Sequence, residues 1–317
     1  MIKISIIGTG QQSAVIKKIC KKIPQSRIDF FFSRKKKYVN GYKATHYLKN
    51  LLGSKVIFIC TPPNEHLKML KKLYKLKYNN YIICEKPLIN SLNQIKEVEK
   101  FSSKFKRKLF VNFNFESSQL AKILSQIIKN KSNGNLKYAE FQISHGAAWY
   151  KTWKKQWRLR TKLGPIENTA IHYIYFLKKL FGDYKILLKN LSFSTKNMGK
   201  DTAETVLKYS NIYAFFRFSY SEPYHISFRL IFSNAKVLYD GKILNYYFKR
   251  ETSYRSGKFI ESKIKKSYKV DFYRDFNNST KNNIKKILKT IKSKKYNSHY
   301  QLNFDLNVLK PFYKDID

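Results

Sequence analysis

Cysteine is scarce in this sequence of 317 residues, and long apolar runs are absent from it. The three cysteines, Cys20, Cys60 and Cys84, show no Cys-x-x-Cys spacing and leave one unpaired, which argues against a disulfide scaffold and favours a reducing, cytoplasmic environment. No group of histidine, cysteine and acidic residues has the spacing of metal ligands, so no bound metal is expected. No apolar run approaches the ~18 residues of a membrane span, and the first residues do not follow the pattern of a secretory signal.

Acidic side chains are also few, with 20 against 64 lysines and arginines, which gives a formal net charge of +44. One interpretation is that the protein binds nucleic acid or another polyanion. The lysines are spread over the whole chain, however, and the abundant Lys, Ile, Asn, Tyr and Phe all have A/T-rich codons. We therefore favour codon bias as the origin of the charge and expect no specific nucleic-acid partner, although anionic small molecules should be attracted.

The most informative stretch is the beginning of the chain, where an apolar run from Met1 to Ile7 leads directly into Gly8-Thr9-Gly10-Gln11-Gln12-Ser13. A strand, Gly-x-Gly and an opening helix form the turn that binds dinucleotides. The first glycine permits the tight turn, the second lets a pyrophosphate approach the backbone, and the helix N-terminus attracts that anion. Cofactor contacts are therefore predicted for Gly8, Thr9, Gly10, Gln11 and Gln12. Ser13 replaces the third glycine of the fingerprint, and an ordinary strand-to-helix turn is the alternative.

The end of the second predicted strand, Arg27 to Phe32, bears on the choice of cofactor. An acidic residue at this point would bind the ribose 2′-hydroxyl of NAD. The sequence instead continues with Ser33, Arg34 and three lysines. A hydroxyl followed by arginine suits a 2′-phosphate, so NADP(H) is the predicted preference, with NAD(H) still open. A solvated basic loop is the alternative.

Strands continue to alternate with helices to about residue 115, which predicts a doubly wound α/β domain. The strand Val56–Cys60 is closed by Thr61-Pro62-Pro63-Asn64-Glu65-His66, and the strand Tyr81–Cys84 is followed by Glu85-Lys86-Pro87. Later, alternating apolar patterns predict strands at 136–144, 203–209, 212–220, 226–232 and 236–239. Helices are predicted at 272–292 and 301–313, and residues 246–269 have no clear pattern.

The Thr-Pro-x-x-x-His and Glu-Lys-Pro elements behind an N-terminal Gly-x-Gly resemble the Gfo/Idh/MocA family, the relatives of glucose-fructose oxidoreductase and inositol dehydrogenase. This resemblance implies a Rossmann domain over residues 1–115. Over residues 116–317 it implies an α+β domain, for substrate binding and oligomerisation, with an open mixed, mostly antiparallel sheet. It also implies hydride transfer between a nicotinamide cofactor and a sugar, polyol or nucleotide-sugar carbon. Surface-polysaccharide biosynthesis is a role by analogy, and a homodimer or homotetramer is expected.

The resemblance assigns roles to individual residues of the first domain. Lys86 matches the active-site lysine, in contact with both cofactor and substrate, and precedes a cis bond to Pro87. A lysine beside a hydroxyl or carbonyl carbon can share in proton transfer or stabilise developing negative charge. Thr61, Pro62 and His66 would lie along the nicotinamide, with Glu85 nearby.

In the second domain, His172 matches the family's catalytic histidine. Asn168 occupies the position of an aspartate that orients the reacting group, and Tyr175 that of a second common aspartate. Asparagine can hydrogen bond but cannot carry negative charge, so support for His172 should be weaker.

The three tryptophans, Trp149, Trp153 and Trp157, lie close together, and the segment that ends in Trp157-Arg158 resembles a Trp-Arg element of the family. Trp157 and Arg158, with Asn168 and His172, are the predicted substrate-binding residues. Anchoring of a long loop in the core is an equal alternative for the tryptophans. Two other functions stay open for the chain, a cofactor- or sugar-binding protein with little turnover and a polyanion-binding protein.

Overall fold

A computed structural model describes residues 1–149, 156–193, 199–249, 254–255, 257–293, 298–314 and 316. The chain forms two compact units, one made of residues 1–113 together with 281–317 and the other of residues 114–280. Residues 281–317 thus belong to the first unit, whereas a single division at residue 115 would place them in the second. None of the helices in the described ranges has the length and apolarity needed to cross a membrane.

The first unit is built on a seven-stranded sheet in which every neighbouring pair is parallel except β3 and β4. The strand order is β3-β4-β2-β1-β5-β6-β7, so the order reverses on the two sides of β1. Its elements are β1 (Ile2–Ile7), α1 (Gln11–Lys21), β2 (Ser26–Phe32), β3 (Tyr38–Val39), β4 (Tyr42–Thr45), β5 (Val56–Ile59), α2 (Pro63–Lys75), β6 (Tyr81–Glu85), α3 (Leu92–Glu99), α4 (Ser103–Lys106) and β7 (Leu109–Asn112).

The central strands of this sheet are nearly continuous apolar runs because both of their faces are covered. All four residues of β5 are buried, and so are Ile4 and Ile6 of β1. Helices α1 and α2 turn apolar side chains such as Ile16 and Leu70 inward at helical spacing. Such an order reversal at the carboxyl edge of parallel strands is where open α/β sheets bind ligands.

The second unit contains an eight-stranded mixed sheet with the order β17-β14-β13-β12-β8-β11-β10-β9. Only β8 and β11 pair in parallel, and the other neighbours are antiparallel. The elements are α5 (Gln119–Lys129), β8 (Leu136–Ser144), α6 (Ile171–Phe181), β9 (Lys185–Ser192), β10 (Thr202–Tyr209), β11 (Ile212–Ser219), β12 (His225–Phe232), β13 (Ala235–Tyr239), β14 (Ile243–Phe248), β15 (Tyr254–Arg255), β16 (Lys258–Phe259) and β17 (Ile264–Lys269).

Aromatic rings fill the core between this sheet and its helices. Phe141 of β8 stacks with Phe216 at 5.4 Å between ring centroids, and Tyr173 of α6 stacks with Phe218 at 5.7 Å. The first eight residues of α6 are all buried, which fixes this helix firmly against the sheet. The remaining helices are α7 (Phe272–Ser293), α8 (Ser298–Leu306) and α9 (Lys310–Lys314), and the end of α7 returns to the first unit.

The fold class inferred from the sequence is confirmed, a Rossmann unit followed by a mixed sheet. Several local expectations were wrong. Three strands of the second sheet were missed, namely β9, β14 and β17, and the single helix expected at 301–313 is two helices, α8 and α9. The missed β17 is largely exposed, so its sequence carries no buried alternation that would reveal it.

Candidate active site

The turn between β1 and α1 has the backbone geometry that a dinucleotide-binding turn needs. Gly8 has φ of +131°, and a Cβ placed there would lie 2.7 Å from the carbonyl oxygen of Cys60, so only glycine fits. Gly10 precedes α1 without any side-chain cap, and no heavy atom lies within 4 Å of a Cβ built on it. Thr9 and Gln11 are exposed and Gln12 is half-buried. The helix N-terminus is therefore approachable by an anion.

Ser13 is accommodated in place of the third glycine of the fingerprint. It is fully buried, and its hydroxyl donates a hydrogen bond of 2.6 Å to the carbonyl oxygen of Gly10. The amide of Asn40 donates to the Ser13 hydroxyl oxygen at 3.2 Å. The serine therefore stabilises the turn that Gly10 begins.

The end of β2 places Ser33 and Arg34 together, but both have partners within the protein. The Ser33 hydroxyl accepts hydrogen bonds from the backbone N–H groups of Lys35 and Lys36, at 3.3 and 2.8 Å. The Arg34 guanidinium lies 3.0 Å from a carboxylate oxygen of Glu65, at the start of α2. A carboxylate thus lies beside the end of β2, but it belongs to Glu65 at the start of α2. Sequence reasoning did not assign Glu65 to this place.

The connection after β5 is joined to the cis Lys86–Pro87 peptide by His66. The His66 ring is completely buried, with Nδ1 2.8 Å from the carbonyl oxygen of Pro87 and Nε2 2.7 Å from that of Thr61. Burial lowers the pKa of His66, and the two carbonyl contacts oppose this effect. With both ring nitrogens facing backbone, His66 can influence a cofactor only through the two segments that it holds.

Thr61 has a buried polar atom that is not satisfied within the described part of the protein. Its hydroxyl oxygen is buried and has no hydrogen-bond partner among the described residues. Pro62 next to it is exposed and precedes α2. A buried hydroxyl without a partner is costly, so this group favours a bound ligand at the edge of the sheet.

Glu85 and Lys86 lie at the end of β6, where the Glu85 carboxylate is surrounded by donors. One of its oxygens accepts hydrogen bonds of 2.8 Å from both the Gln12 and the Asn112 side-chain amides. Burial raises the pKa of Glu85, while these donors and the backbone N–H and charge of Lys86 lower it. The carboxylate thus connects the dinucleotide turn to Lys86, and sequence reasoning did not assign Asn112.

In the second unit, Asn168 and His172 are both buried at the start of α6. Asn168 lies in a π-helical turn, residues 166–170, and its amide donates to the Gly164 carbonyl oxygen at 3.2 Å. His172 lies in the α-helix itself, with its ring edge-on to that of Phe276 at 5.3 Å. The π turn changes the helical register, so the two side chains do not stand in the simple i, i+4 relation that the sequence suggests. Tyr175 is 3 % exposed and packs in the core.

Two residues that sequence reasoning missed surround Asn168. The buried Tyr220 hydroxyl hydrogen bonds to the Thr169 hydroxyl at 3.2 Å and to the Asn168 side chain. The His145 ring stacks on Tyr220 with centroids 5.0 Å apart. Burial raises the pKa of Tyr220 to about 12, and burial followed by the charge of Arg158 lowers the pKa of His145. Both are isolated aromatic residues beside strand ends, with no motif to identify them.

Arg158 stands near this group in a short helical turn, with its guanidinium 5.1 Å from the Trp157 ring centroid. The Arg158 carbonyl accepts a hydrogen bond of 2.9 Å from Thr161. Among the described residues, no carboxylate lies within ion-pair distance of Arg158. Trp153, Lys154 and Lys155, in the segment that leads to Trp157, lie outside the described residues.

Two further features concern metals and thiols. No three histidine, cysteine or acidic side chains come together as potential metal ligands in the part of the chain that the structure describes. Cys20, Cys60 and Cys84 are buried free thiols, and burial raises the pKa of Cys20 to about 12. Inert packing is the role that such thiols usually have.

Residues 2–113 match the Gfo/Idh/MocA family, described as an oxidoreductase family with an NAD-binding Rossmann fold. A comparison with curated protein sequences finds no match.

Solved structures resemble the chain over nearly its full length. An oxidoreductase from Agrobacterium radiobacter, in complex with NAD⁺, L-tartaric acid and magnesium, has a TM-score of 0.77 at 14% identity, covering 99% of this chain and 96% of the other. A myo-inositol dehydrogenase from Corynebacterium glutamicum has 0.72 at 12%, covering 98% and 96%. A 3-ketoreductase from Actinomadura kijaniata with NADP has 0.72 at 12%, covering 98% and 95%.

At these identities the structural likeness establishes the fold, and the family match establishes what kind of domain begins the chain. Over residues 2–113 the chain therefore resembles the Gfo/Idh/MocA oxidoreductases and carries their NAD-binding Rossmann fold.

Proposed function

We propose that this protein transfers a hydride between a nicotinamide cofactor and a carbon of a sugar, polyol or nucleotide sugar. The observation that carries the proposal is the turn at Gly8–Gly10, where α1 begins uncapped with open space above Gly10. An uncapped helix N-terminus beside a residue without a Cβ is suited to a pyrophosphate. Thr9, Gln11 and Gln12 complete this contact, and the unpartnered Thr61 hydroxyl supports a ligand that extends along the sheet edge.

The cofactor, when bound, gives or takes the hydride, and the protein must handle the accompanying proton. In this proposal Lys86 provides the ammonium group that shares the substrate hydroxyl proton or stabilises negative charge on its oxygen. Glu85 and the residues around it support the position of Lys86. In the second unit, His172, with Asn168 before it, is the residue proposed to handle a proton of the substrate.

The proposed substrate carries negative charge. Residues 151–162 contain six lysines and arginines and no acidic residue, and Arg158 within this segment has no described carboxylate partner. Guanidinium groups bind phosphates and carboxylates by paired hydrogen bonds. A nucleotide sugar fits this chemistry, and its use in surface-polysaccharide synthesis within the cytoplasm is the role that we propose. The three buried thiols are compatible with that reducing compartment.

NADP(H) is the cofactor that we propose to be preferred. Arg34 supports this choice, since its guanidinium would bind a 2′-phosphate. The Glu65 carboxylate at 3.0 Å competes for the same guanidinium and would favour a ribose hydroxyl instead. NAD(H) therefore remains the alternative cofactor, and Arg34 and Glu65 together set the ratio of the affinities for NADP(H) and NAD(H).

Changing the two glycines separately tests the cofactor turn. Gly10→Ala should leave thermal stability unchanged, because no atom lies near the added methyl, but should weaken NADPH and NADH binding about tenfold, or about 1.4 kcal/mol. Gly8→Ala should lower the free energy of unfolding by about 1–3 kcal/mol, because its methyl meets the Cys60 backbone. Fluorescence titration and urea unfolding measure the two effects. Undiminished cofactor binding by Gly10→Ala would contradict the assignment.

Turnover tests the role of Lys86. The protein is screened with nucleotide sugars, sugar acids and polyols while NADPH and NADH absorbance is followed. Lys86→Ala should lower kcat by about 10²-fold or more, the usual contribution of a positioned proton-transfer group, with cofactor binding nearly unchanged. The exposed Lys68→Ala is the matched control. Cofactor binding without turnover of any compound would favour a binding protein instead.

Cofactor preference is tested at Arg34 and Glu65. Arg34→Asp should weaken NADPH binding by about tenfold or more, the loss of a charged hydrogen bond, and NADH binding much less. Glu65→Gln frees the guanidinium and should shift the preference further toward NADPH. Arg27→Asp, at an exposed arginine of the preceding strand β2, controls for overall charge. An equal effect of Arg34→Asp on both cofactors would reject the NADP assignment.

The homo-oligomer is proposed to form through the outer face of the second sheet. Tyr213 and Phe215 of β11 are exposed there, and Tyr138 packs on Phe215 at 4.9 Å. Aromatic residues of this kind are enriched in protein interfaces. Tyr213→Asp should dissociate the dimer or tetramer in light scattering, whereas the exposed Tyr47→Asp should not. A monomeric wild-type protein would refute this proposal.

A further inference from the structure

The end of β6 contains a carboxylate, that of Glu85, whose two side-chain partners come from distant parts of the chain. Glu85 pairs in register with Asn112 across the parallel strands β6 and β7, so the two side chains emerge side by side. The Asn112 amide nitrogen and the Gln12 amide nitrogen both donate to the same Glu85 oxygen at 2.8 Å. Gln12 lies in the first turn of α1, directly after the glycine turn.

Asn283 extends this set from helix α7. Its side-chain nitrogen donates a hydrogen bond of 2.8 Å to the side-chain oxygen of Asn112. Asn112 and Asn283 are 2 % and 8 % exposed, so water does not readily replace these contacts. Because the Asn112 nitrogen is engaged by Glu85, its oxygen must be an acceptor, and Asn283 fixes the amide in that orientation.

The helix that carries Asn283 is held firmly in the first unit. Ile284, Ile287 and Leu288 are buried in the same core as Ile4 and Ile6 of β1. The donor is therefore presented from a rigid element, and buried polar groups on rigid elements hold their partners in one geometry.

We propose that Gln12, Glu85, Asn112 and Asn283 form a polar relay through which the dinucleotide turn and Lys86 hold each other in place. The relay rests on the function proposed above, since it assigns Gln12, Asn112 and Asn283 as positioning residues for that reaction. Lys86 follows Glu85 directly, and the carboxylate interacts with its backbone N–H and its charge. Movement of Gln12 on cofactor binding is thereby transmitted to the residue before the lysine.

The chemistry of the Glu85 carboxylate explains why each of the four relay residues contributes to its position. A partly enclosed carboxylate stays ionised only while donors compensate for its lost hydration. Without Asn283, the Asn112 amide loses the contact that fixes its rotation, and its hydrogen bond to Glu85 weakens. The carboxylate then positions Gln12 and Lys86 less firmly, although Asn283 itself contacts neither.

A double-mutant cycle tests this relay without knowledge of the substrate. NADPH and NADH binding are titrated by fluorescence for wild type, Gln12→Ala, Asn283→Ala and the double variant. Each single change should weaken binding severalfold, and the double variant should lose less than the product of the two by at least about twofold, as expected for coupled residues. Asn282→Ala, the exposed neighbour of Asn283, should bind as wild type does.

Asn283→Asp provides a second readout that a merely structural role would not produce. Ionised aspartate cannot donate to Asn112, whereas protonated aspartate can. Cofactor affinity of Asn283→Asp relative to wild type should therefore recover as the pH is lowered, while that of Asn283→Ala stays constant. This variant also keeps the side-chain volume if Asn283→Ala fails to fold.

The outcomes separate the two proposals. If wild type binds neither cofactor, the proposed function is wrong and the relay is wrong with it. If wild type binds cofactor but folded Asn283→Ala binds equally well, or if the effects of Gln12→Ala and Asn283→Ala simply multiply, the relay alone is wrong. Coupled losses together with the pH recovery of Asn283→Asp would establish it.

Discussion

The parallel pairing of the central strands in the first unit is the constraint on which the candidate site depends. Ile7 pairs with Phe32 on one side and Ile59 on the other, and Ile59 pairs with Cys84. Because parallel strands run in one direction, the residues that follow these four positions emerge at the same edge. That edge therefore combines a glycine turn, a basic strand end, a proline turn and the Glu-Lys-Pro element, although the chain between them makes up most of the domain.

Polar groups at such an edge have to find partners, and this requirement explains much of the detail. His66 satisfies two carbonyl groups from different connections, and Ser13 satisfies the Gly10 carbonyl. The Glu85 carboxylate accepts hydrogen bonds from amides of α1 and β7, and the amide of β7 is in turn held by Asn283 of α7. The last of these accounts for the C-terminal segment returning to the first unit, since its apolar residues complete the core and Asn283 completes the polar edge. The burial of apolar side chains and the hydrogen bonding of polar groups thus favour the same path of the chain.

The sequence predicts this first unit well because its signals are local. Buried parallel strands are continuous apolar runs, and Gly8 is recognisable because its spacing follows a strand. Asn283 could not be predicted, since one asparagine in a lysine-rich helix has no distinguishing pattern and its partner Asn112 lies far away in sequence. The strand β17 was missed because few of its side chains are buried, so its sequence shows no apolar alternation. The π turn around Asn168 was missed because it depends on tertiary packing, which the spacing of apolar residues does not reveal. The roles of Lys86, His172 and their neighbours stay predictions.

In the second unit, Asn168 stands at a position where the family that the sequence resembles usually has an aspartate. An aspartate at position 168 would orient a neighbour by charge, but asparagine has only hydrogen-bond geometry for that purpose. The structure provides such geometry: the Gly164 carbonyl and the Tyr220 hydroxyl hold Asn168, and Tyr220 is itself fixed by its stack on His145. The backbone of Tyr220 is also bound on both sides, to Asp201 and to Ala148. In the proposed function, an amide held this rigidly orients a hydroxyl without adding negative charge, and Arg158 attracts the anionic group of the proposed substrate.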